Sequence, residues 1–154
     1  MLALVLGKLL VSYLRLRGKR VVTCPQAKEA AAVDLDAGFA ALTALFKKPT
    51  LRLRDCSRWG ENHECGRACL RQIEAAPEDC LVRRILTAWY QGKSCIYCGR
   101  PFEGINWMQH KPCLVSPGLR IFEWGEIQPE AIPQVLATHS PVCWTCNVAE
   151  THTW

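Results

Sequence analysis

Ten cysteines in 154 residues constrain this chain more than any other feature of its sequence. That density is typical of a disulfide-stapled secreted scaffold or of a metal-binding protein. Four of the cysteines form two C-x2-C pairs, Cys95 with Cys98 and Cys143 with Cys146. Such a pair lets two thiolates converge on one ion from a tight turn, and two pairs supply the four ligands of a closed tetrahedral site. We therefore predict a metal site built from these four residues.

The residues around the first pair strengthen this prediction. Gly99 directly follows Cys98, and a glycine there lets the backbone curl so that amide N–H groups face the sulfurs. On both cysteine pairs and Gly99, the stretch 95–150 resembles the zinc-ribbon and treble-clef families. The resemblance implies a helix starting near residues 146–150, because a treble clef carries its second pair at the start of a helix. The interval 99–142 is longer than the one in a compact zinc ribbon.

The sequence leaves open which metal this site would hold. Zinc is the leading prediction, and its role would be structural, because four thiolates leave no open position for activating water. A single iron, as in rubredoxin-like centres, and a redox-active dithiol are the alternatives. A c-type haem is disfavoured, since Asn147 stands where covalent attachment requires histidine. Trp144, inside the second pair, is expected to shield the metal from water.

A second group of cysteines lies in the first half of the chain, and we predict Cys24, Cys56, Cys65 and Cys69 as ligands of a second site. Cys65 and Cys69 are spaced i, i+4, so they share one helix face if that segment is helical. The other two each follow a predicted strand. Zinc and a [4Fe–4S] cluster both accept four thiolates, and free or disulfide-bonded cysteines are the remaining alternative. Cys80 opens an apolar helix and is the first substitute for Cys24 as a ligand.

Three histidines are further candidate ligands. His63 precedes Cys65 by two positions and is a candidate to replace one thiolate. His110 and His139 are the corresponding candidates in the second half. For each histidine a surface or hydrogen-bonding role is favoured. Cys113, between a proline and a leucine, is predicted not to bind metal.

The N-terminal segment predicts contact with a membrane. Residues 1–14 are apolar apart from Lys8 and Ser12, and residues 1–18 are predicted to form a membrane-associated helix. The apolar run is shorter than the roughly 20 residues of a spanning helix, so spanning a thin bilayer and lying in the interface both stay open. An ordinary core helix is the alternative. If the segment spans, the positive-inside rule places residues 15–20 in the cytoplasm.

The charge distribution also predicts contact with a membrane. The formal net charge is +5, and the first twenty residues carry five positive charges and no negative one. The rest of the chain is balanced, whereas a nucleic-acid binder needs a basic surface on its folded body. We therefore predict no nucleic-acid partner, and contact with membrane lipid and a membrane protein complex through residues 1–20. The cysteine-rich body is expected on the cytoplasmic side, with reduced thiols.

The predicted fold class is α+β, with short elements in small metal-stapled modules: 19–92 is the first module and 93–154 the second. Predicted strands cover 21–23, 31–36, 51–56 and 119–124, and predicted helices cover 37–46, 67–76, 81–89 and 129–137.

The predicted function follows from the metal sites and the terminal helix. It is a membrane-anchored zinc-binding accessory or structural subunit of a membrane complex, with zinc in two sites. The alternative is a small electron-transfer protein with a [4Fe–4S] cluster or a single iron at one site, and a thiol oxidoreductase is the third class. No nucleotide-binding or hydrolase motif is present, no small-molecule substrate is evident, and no catalytic residue is predicted.

Overall fold

The computed structural model describes residues 2–60 and 65–152. The chain divides into two units, Met1–Arg84 and Ile85–Trp154. Each unit combines short helices with a three-stranded antiparallel sheet. This confirms the predicted α+β class with small sheets.

The first unit is built from helices that flank a sheet. Its elements are α1 (Leu2–Leu16), β1 (Arg20–Thr23), β2 (Ala30–Leu35), α2 (Ala37–Thr43), β3 (Leu53–Cys56) and α3 (Leu70–Ala75), followed by α4 (Val82–Tyr90), which continues into the second unit. The strand order is β1-β2-β3. The predicted strands and helices of this half are present, although α2 and α3 are shorter than the sequence pattern indicated.

One face of the first sheet carries the core of this unit. Val22 pairs with Ala31, and Val33 pairs with Cys56. Because side chains alternate along a strand, these residues share one face. They pack there with the fully buried Ile73 of α3.

Helix α1 touches the rest of its unit along a narrow stripe. Leu9 and Ser12 are partly buried and Leu16 is buried, whereas most other α1 side chains are exposed. The helix packs beside α2. Within residues 2–60 and 65–152, no helix has both the length and the apolar character needed to cross a bilayer. The predicted spanning helix is therefore not supported.

The C-terminal end of α1 is closed by a buried cation. Arg20 is 0% exposed, and its guanidinium donates hydrogen bonds to the carbonyl oxygens of Leu16 at 2.7 Å, Gly18 at 2.9 Å and Arg15 at 3.2 Å. A fourth bond reaches the carbonyl of Pro77 at 3.2 Å. A positive charge is favourable at a helix C-terminus, where carbonyl groups lack intrahelical partners. One side chain thus joins α1 to the segment before α4.

The second unit contains short strands and three helices around an aromatic centre. Beyond α4 its elements are β4 (Cys113–Val115), β5 (Ile121–Phe122), α5 (Ile132–Thr138), β6 (Ser140–Val142) and α6 (Trp144–His152), with single 3-10 turns at Trp124–Glu126 and Pro129–Ala131. The strand order is β5-β4-β6. The predicted strand 119–124 is shorter than expected, and the predicted helix 129–137 is the last 3-10 turn followed by α5. Strands β4 and β6 were not predicted.

Tyr90, at the end of α4, organises the core of this unit. Its side chain is fully buried, and its hydroxyl donates to the carbonyl of Cys113 at 2.7 Å and accepts from the indole N–H of Trp124 at 3.2 Å. Its ring packs against Phe102, with centroids 4.8 Å apart. The buried hydroxyl therefore has a hydrogen-bond acceptor and a hydrogen-bond donor as partners, as buried polar groups generally do.

Candidate metal centre

Four thiols of the second unit converge on one point. The Sγ atoms of Cys95, Cys98, Cys143 and Cys146 all lie within 4.8 Å of one another, and those of Cys98 and Cys143 are 3.7 Å apart. Tetrahedral zinc with bonds of about 2.3 Å separates its thiolates by about 3.8 Å. These four residues form a group that can hold a metal ion, as the two C-x2-C pairs predicted.

The first pair lies in a tight knuckle. The N–H of Cys95 donates to the carbonyl of Arg100, and the N–H of Gly99 donates to the carbonyl of Cys95, both at 2.9 Å. Ser94 and Pro101 close the loop as a β-bridge. Gly99 has φ +69°, a left-handed conformation that glycine adopts without steric cost. Gly99 thus allows the backbone to curl around the sulfur of Cys95.

The second pair is positioned by a strand and the helix that follows it. Strand β6 pairs with β4, and its Pro141 accepts a hydrogen bond of 3.0 Å from the N–H of Ile96 in the knuckle. Cys143 comes directly after β6, and Cys146 lies in the first turn of α6. The hydrogen bond between Ile96 and Pro141 thus holds the second pair beside the knuckle.

Backbone donors prepare the Cys95 sulfur to carry negative charge. The N–H of Cys143 donates to Cys95 Sγ over 3.3 Å. Burial alone would raise the pKa of the Cys95 thiol, but the N–H groups of Cys143, Cys98 and Tyr97 outweigh it and lower the pKa to about 6. Burial and the neighbouring thiols raise the pKa values of Cys143 and Cys146. One thiol is ready to ionise first, and a bound cation would stabilise the remaining charges.

Cys113 is buried beside this group without belonging to it. Its side chain is 2% exposed in the core under the site, and the converging group excludes it. Burial, and then the charges of Glu123 and Glu126, raise the pKa of its thiol to about 11. A neutral core thiol fits this position.

Trp144, between the two cysteines of the second pair, is partly exposed. It is 40% exposed, and its ring makes an edge contact with His110 at a centroid distance of 4.6 Å. The other histidine of this half, His139, lies beside the hydroxyl of Thr138 at 2.8 Å. Neither histidine belongs to the converging group, so their candidacy as ligands receives no support. The shielding role of Trp144 stays a prediction.

The four predicted ligands of the first unit also meet, in a different way. Cys24, Cys56, Cys65 and Cys69 line one cavity. Burial, followed by repulsion from the other three thiols, raises the pKa of Cys69. These sulfurs do not form a group as close as that of the second unit within the described residues. The tertiary structure therefore places these four cysteines around one cavity, with their sulfur atoms less close together than those of the second unit.

Cys80 and His63 are the two residues predicted as replacements for a ligand of this site. Cys80 does not line the cavity; its thiol donates to the carbonyl groups of Ala76 at 3.5 Å and Pro77 at 3.7 Å. It is a partly buried thiol packed at the edge of the core. His63 lies outside the described residues.

The chain matches no protein-family model, no curated protein and no solved structure. Function must therefore be inferred from the geometry of the site itself.

Proposed function

We propose that this protein is a zinc-stapled accessory subunit of a membrane protein complex, held at the cytoplasmic membrane surface by α1. The observation that carries the proposal is the convergence of four thiols in the second unit. A structural zinc there would contribute to folding, because the ion binds the folded arrangement and not the unfolded chain.

Several features favour zinc and a structural role. Four thiolates saturate a tetrahedral ion, so no position remains for water or substrate. The donor set accepts either zinc or iron, but in a given site ferrous iron binds more weakly than the later first-row ions. The succession of knuckle, β4–β5 hairpin and α6 supports a treble-clef-like description. A rigid, closed site of this kind suits a subunit that presents a fixed surface.

The surface of α1 supports membrane attachment. Its large exposed apolar side chains are Leu4, Val5, Leu6, Leu10, Val11, Tyr13 and Leu14. Phe39, Leu42 and Phe46 of the neighbouring α2 segment are also exposed, Phe46 to 89%. Apolar side chains on several sides of a helix suit an apolar surrounding.

Basic residues identify the kind of surface that α1 would meet. Lys8, Arg17 and Lys19 are exposed within or just after this helix. Each such charge contributes about 1 kcal/mol near an anionic leaflet. We propose that α1 lies in the interface of an anionic membrane, with its apolar side chains among the acyl chains and the cations at the headgroups.

Elemental analysis of the anaerobically purified chain tests the metal. We expect zinc bound by the second unit and lost in Cys98→Ser, while Cys113→Ala retains it. Zinc that is lost in Cys98→Ser and kept in Cys113→Ala supports the proposal. Iron that depends on Cys98 and gives visible absorption would instead assign a one-iron centre and overturn the zinc role.

Vesicle sedimentation tests the membrane surface. Leu6 and Leu10 lie one helical turn apart, and burying a leucine side chain is worth about 1.5–3 kcal/mol. Leu6→Glu with Leu10→Glu should therefore weaken binding to phosphatidylserine-containing vesicles by more than about 10-fold. Met108→Glu, at an exposed apolar residue of the second unit, is the matched control and should bind like the unmodified chain. Equal binding of all three, or none at all, would reject the membrane role.

A further inference from the structure

The cavity of the first unit has the donor set of a metallocluster site. Its lining includes all four thiols that the sequence singled out in this half: Cys24, Cys56, Cys65 and Cys69. We propose that this cavity binds a [4Fe–4S] cluster through these four cysteines. The site is separate from the zinc centre of the second unit and does not depend on it.

The sheet supplies the floor of the cavity and two of the ligands. Cys24 directly follows β1, and Cys56 ends β3. The pairing of Val22 with Ala31 and of Val33 with Cys56 places both cysteines on the face that carries the buried valines. Side chains of alternate residues point to one face, so both thiols project from the floor toward the same space.

The segment leading into α3 supplies the other two ligands. Cys65 is partly buried and Cys69, directly before α3, is 5% exposed. The following helix is fixed on the sheet by Ile73, which is fully buried in the same core. Gln72 of this helix also exchanges two hydrogen bonds with the backbone of Thr23, at 2.6 and 3.1 Å. The roof is thus attached to the strand that precedes Cys24.

The space between floor and roof exceeds that of a single ion. The cavity volume is about 70 Å³, whereas one water molecule needs only about 10–15 Å³ by the same measure. Around one zinc ion the thiolates would lie about 3.8 Å apart, yet within the described residues only the second unit forms so close a group. In a cubane cluster each cysteine binds a different iron, so the thiolates surround a larger space.

The strand arrangement also opposes a disulfide between Cys24 and Cys56. Strands β1 and β3 lie on opposite sides of β2, which separates their backbones by about 10 Å, beyond the roughly 7 Å that a disulfide can bridge. All four cysteines are free thiols in the structure.

The remaining lining suits an anionic, oxygen-sensitive group. Apolar side chains, among them Val22, Ala31 and Val33, line the cavity. Arg67 also lines the cavity, as does Arg58, whose guanidinium pairs with Glu29. Four thiolates and four sulfides outweigh the charge of the irons, so the bound cluster is an anion that nearby guanidinium groups stabilise. Apolar surroundings limit the access of solvent to the cluster.

Anaerobic reconstitution of the full chain with sulfide and equal amounts of ferrous and ferric iron tests the proposal, because the oxidised cluster contains two irons of each kind. We expect four irons and four acid-labile sulfides per chain, together with broad visible absorption. Dithionite should bleach this absorption as the cluster gains one electron. Zinc in the second unit is measured in the same samples, so failure of one site is distinguished from failure of the other.

Matched cysteine variants locate the cluster. Cys65→Ser alters a partly buried residue and Cys69→Ser a buried one, and each should remove most of the labile sulfide and visible absorption while zinc content is unchanged. Cys80→Ser, outside the cavity, should reconstitute fully. Circular dichroism is used to check that each variant is folded. If Cys69→Ser unfolds, Cys65→Ser still tests the proposal. Absence of labile sulfide, or a second zinc that depends on Cys69, would overturn the proposal.

Discussion

The backbone N–H of Cys143 donates a hydrogen bond of 3.3 Å to the sulfur of Cys95, although 48 positions separate the two residues. The bond joins the two cysteine pairs of the metal site. It forms because Cys143 directly follows β6, which the knuckle contacts through Ile96 and Pro141. The protein backbone therefore organises the four thiols and stabilises charge on one of them before any ion contributes.

Removal of one ligand should show how far the fold of the second unit depends on the metal. Cys98 is the exposed member of the group, so Cys98→Ser changes little besides ligation. Even changes outside the ligand shell cost about 10–100-fold in metal affinity, so we expect zinc affinity to fall by more than about 100-fold, with a lower melting temperature. Chelator competition and thermal unfolding measure both. Cys113→Ala should retain zinc, and equal affinities in the two variants would contradict the assignment.

Gly99 should matter through its backbone conformation. Its φ is +69°, and no atom lies within 4 Å of an added Cβ, so Gly99→Ala introduces left-handed strain without a clash. That strain costs about 1–2 kcal/mol, which corresponds to a loss of roughly 5–30-fold in zinc affinity. Zinc competition should rank the unmodified chain first, Gly99→Asn second and Gly99→Ala last. Gly125→Ala, at a glycine without positive φ, is the control and should have no effect.

Trp144 should slow the loss of metal although it is partly exposed. It follows Cys143 and packs against His110, so its removal would widen the approach of a chelator to the sulfurs. We expect Trp144→Ala to increase the rate of zinc extraction several-fold with little change in secondary structure. Stopped-flow chelation measures this rate, with Met108→Ala as an exposed control. An unchanged rate would show that the indole does not protect the metal.

Tyr90 should stabilise the second unit through its hydroxyl. Tyr90→Phe keeps the buried ring but removes the bonds to the Cys113 carbonyl and the Trp124 indole. Because buried polar groups left without partners cost about 1–3 kcal/mol, we expect a loss of roughly 2 kcal/mol in unfolding free energy. Urea denaturation of zinc-loaded protein provides the measurement. Tyr97→Phe, at an exposed tyrosine, should be within about 0.5 kcal/mol of the unmodified chain; similar losses in both would argue against the buried network.

Arg20 should anchor α1 to its unit. Arg20→Lys keeps the positive charge but lacks the planar fork that reaches several carbonyls at once. Hydrogen bonds to charged groups are worth about 1.5–3 kcal/mol, so we expect a loss of roughly 2–3 kcal/mol and faster amide exchange at the end of α1. Denaturation and hydrogen exchange test this, with the exposed Arg17→Lys as control. Unchanged exchange in Arg20→Lys would show that the capping bonds are not needed.

Local pattern alone predicted much of the secondary structure. The short run at residues 21–23 predicted β1, and the alternation of Leu51 and Leu53 with arginines predicted β3. The apolar face at residues 81–89 predicted most of α4, which is followed by Gly92 with φ +71°. These elements follow from side-chain periodicity and turn chemistry, which a short window of sequence contains. The α+β class followed from them.

Strands β4 and β6 show where local pattern was insufficient. Each has three residues, and β6 contains Pro141, so neither has a period long enough to recognise. They form because each pairs with a partner that is distant in sequence. Burial of Arg20 was also missed, since a charged residue beside a basic run gives no local sign that carbonyl groups will surround it.

The sequence itself determined which four cysteines of the second unit can hold a metal, because C-x2-C spacing shapes each pair locally and Gly99 follows the first pair. Whether the pairs meet was decided by the tertiary structure, through the contact of the knuckle with β6 at Ile96 and Pro141. In the first unit, chain spacing identified four cysteines, but only the sheet and α3 decided that they surround a cavity and that Cys80 does not. Ligand type is a property of residues, whereas the distance between ligands depends on contacts between remote segments.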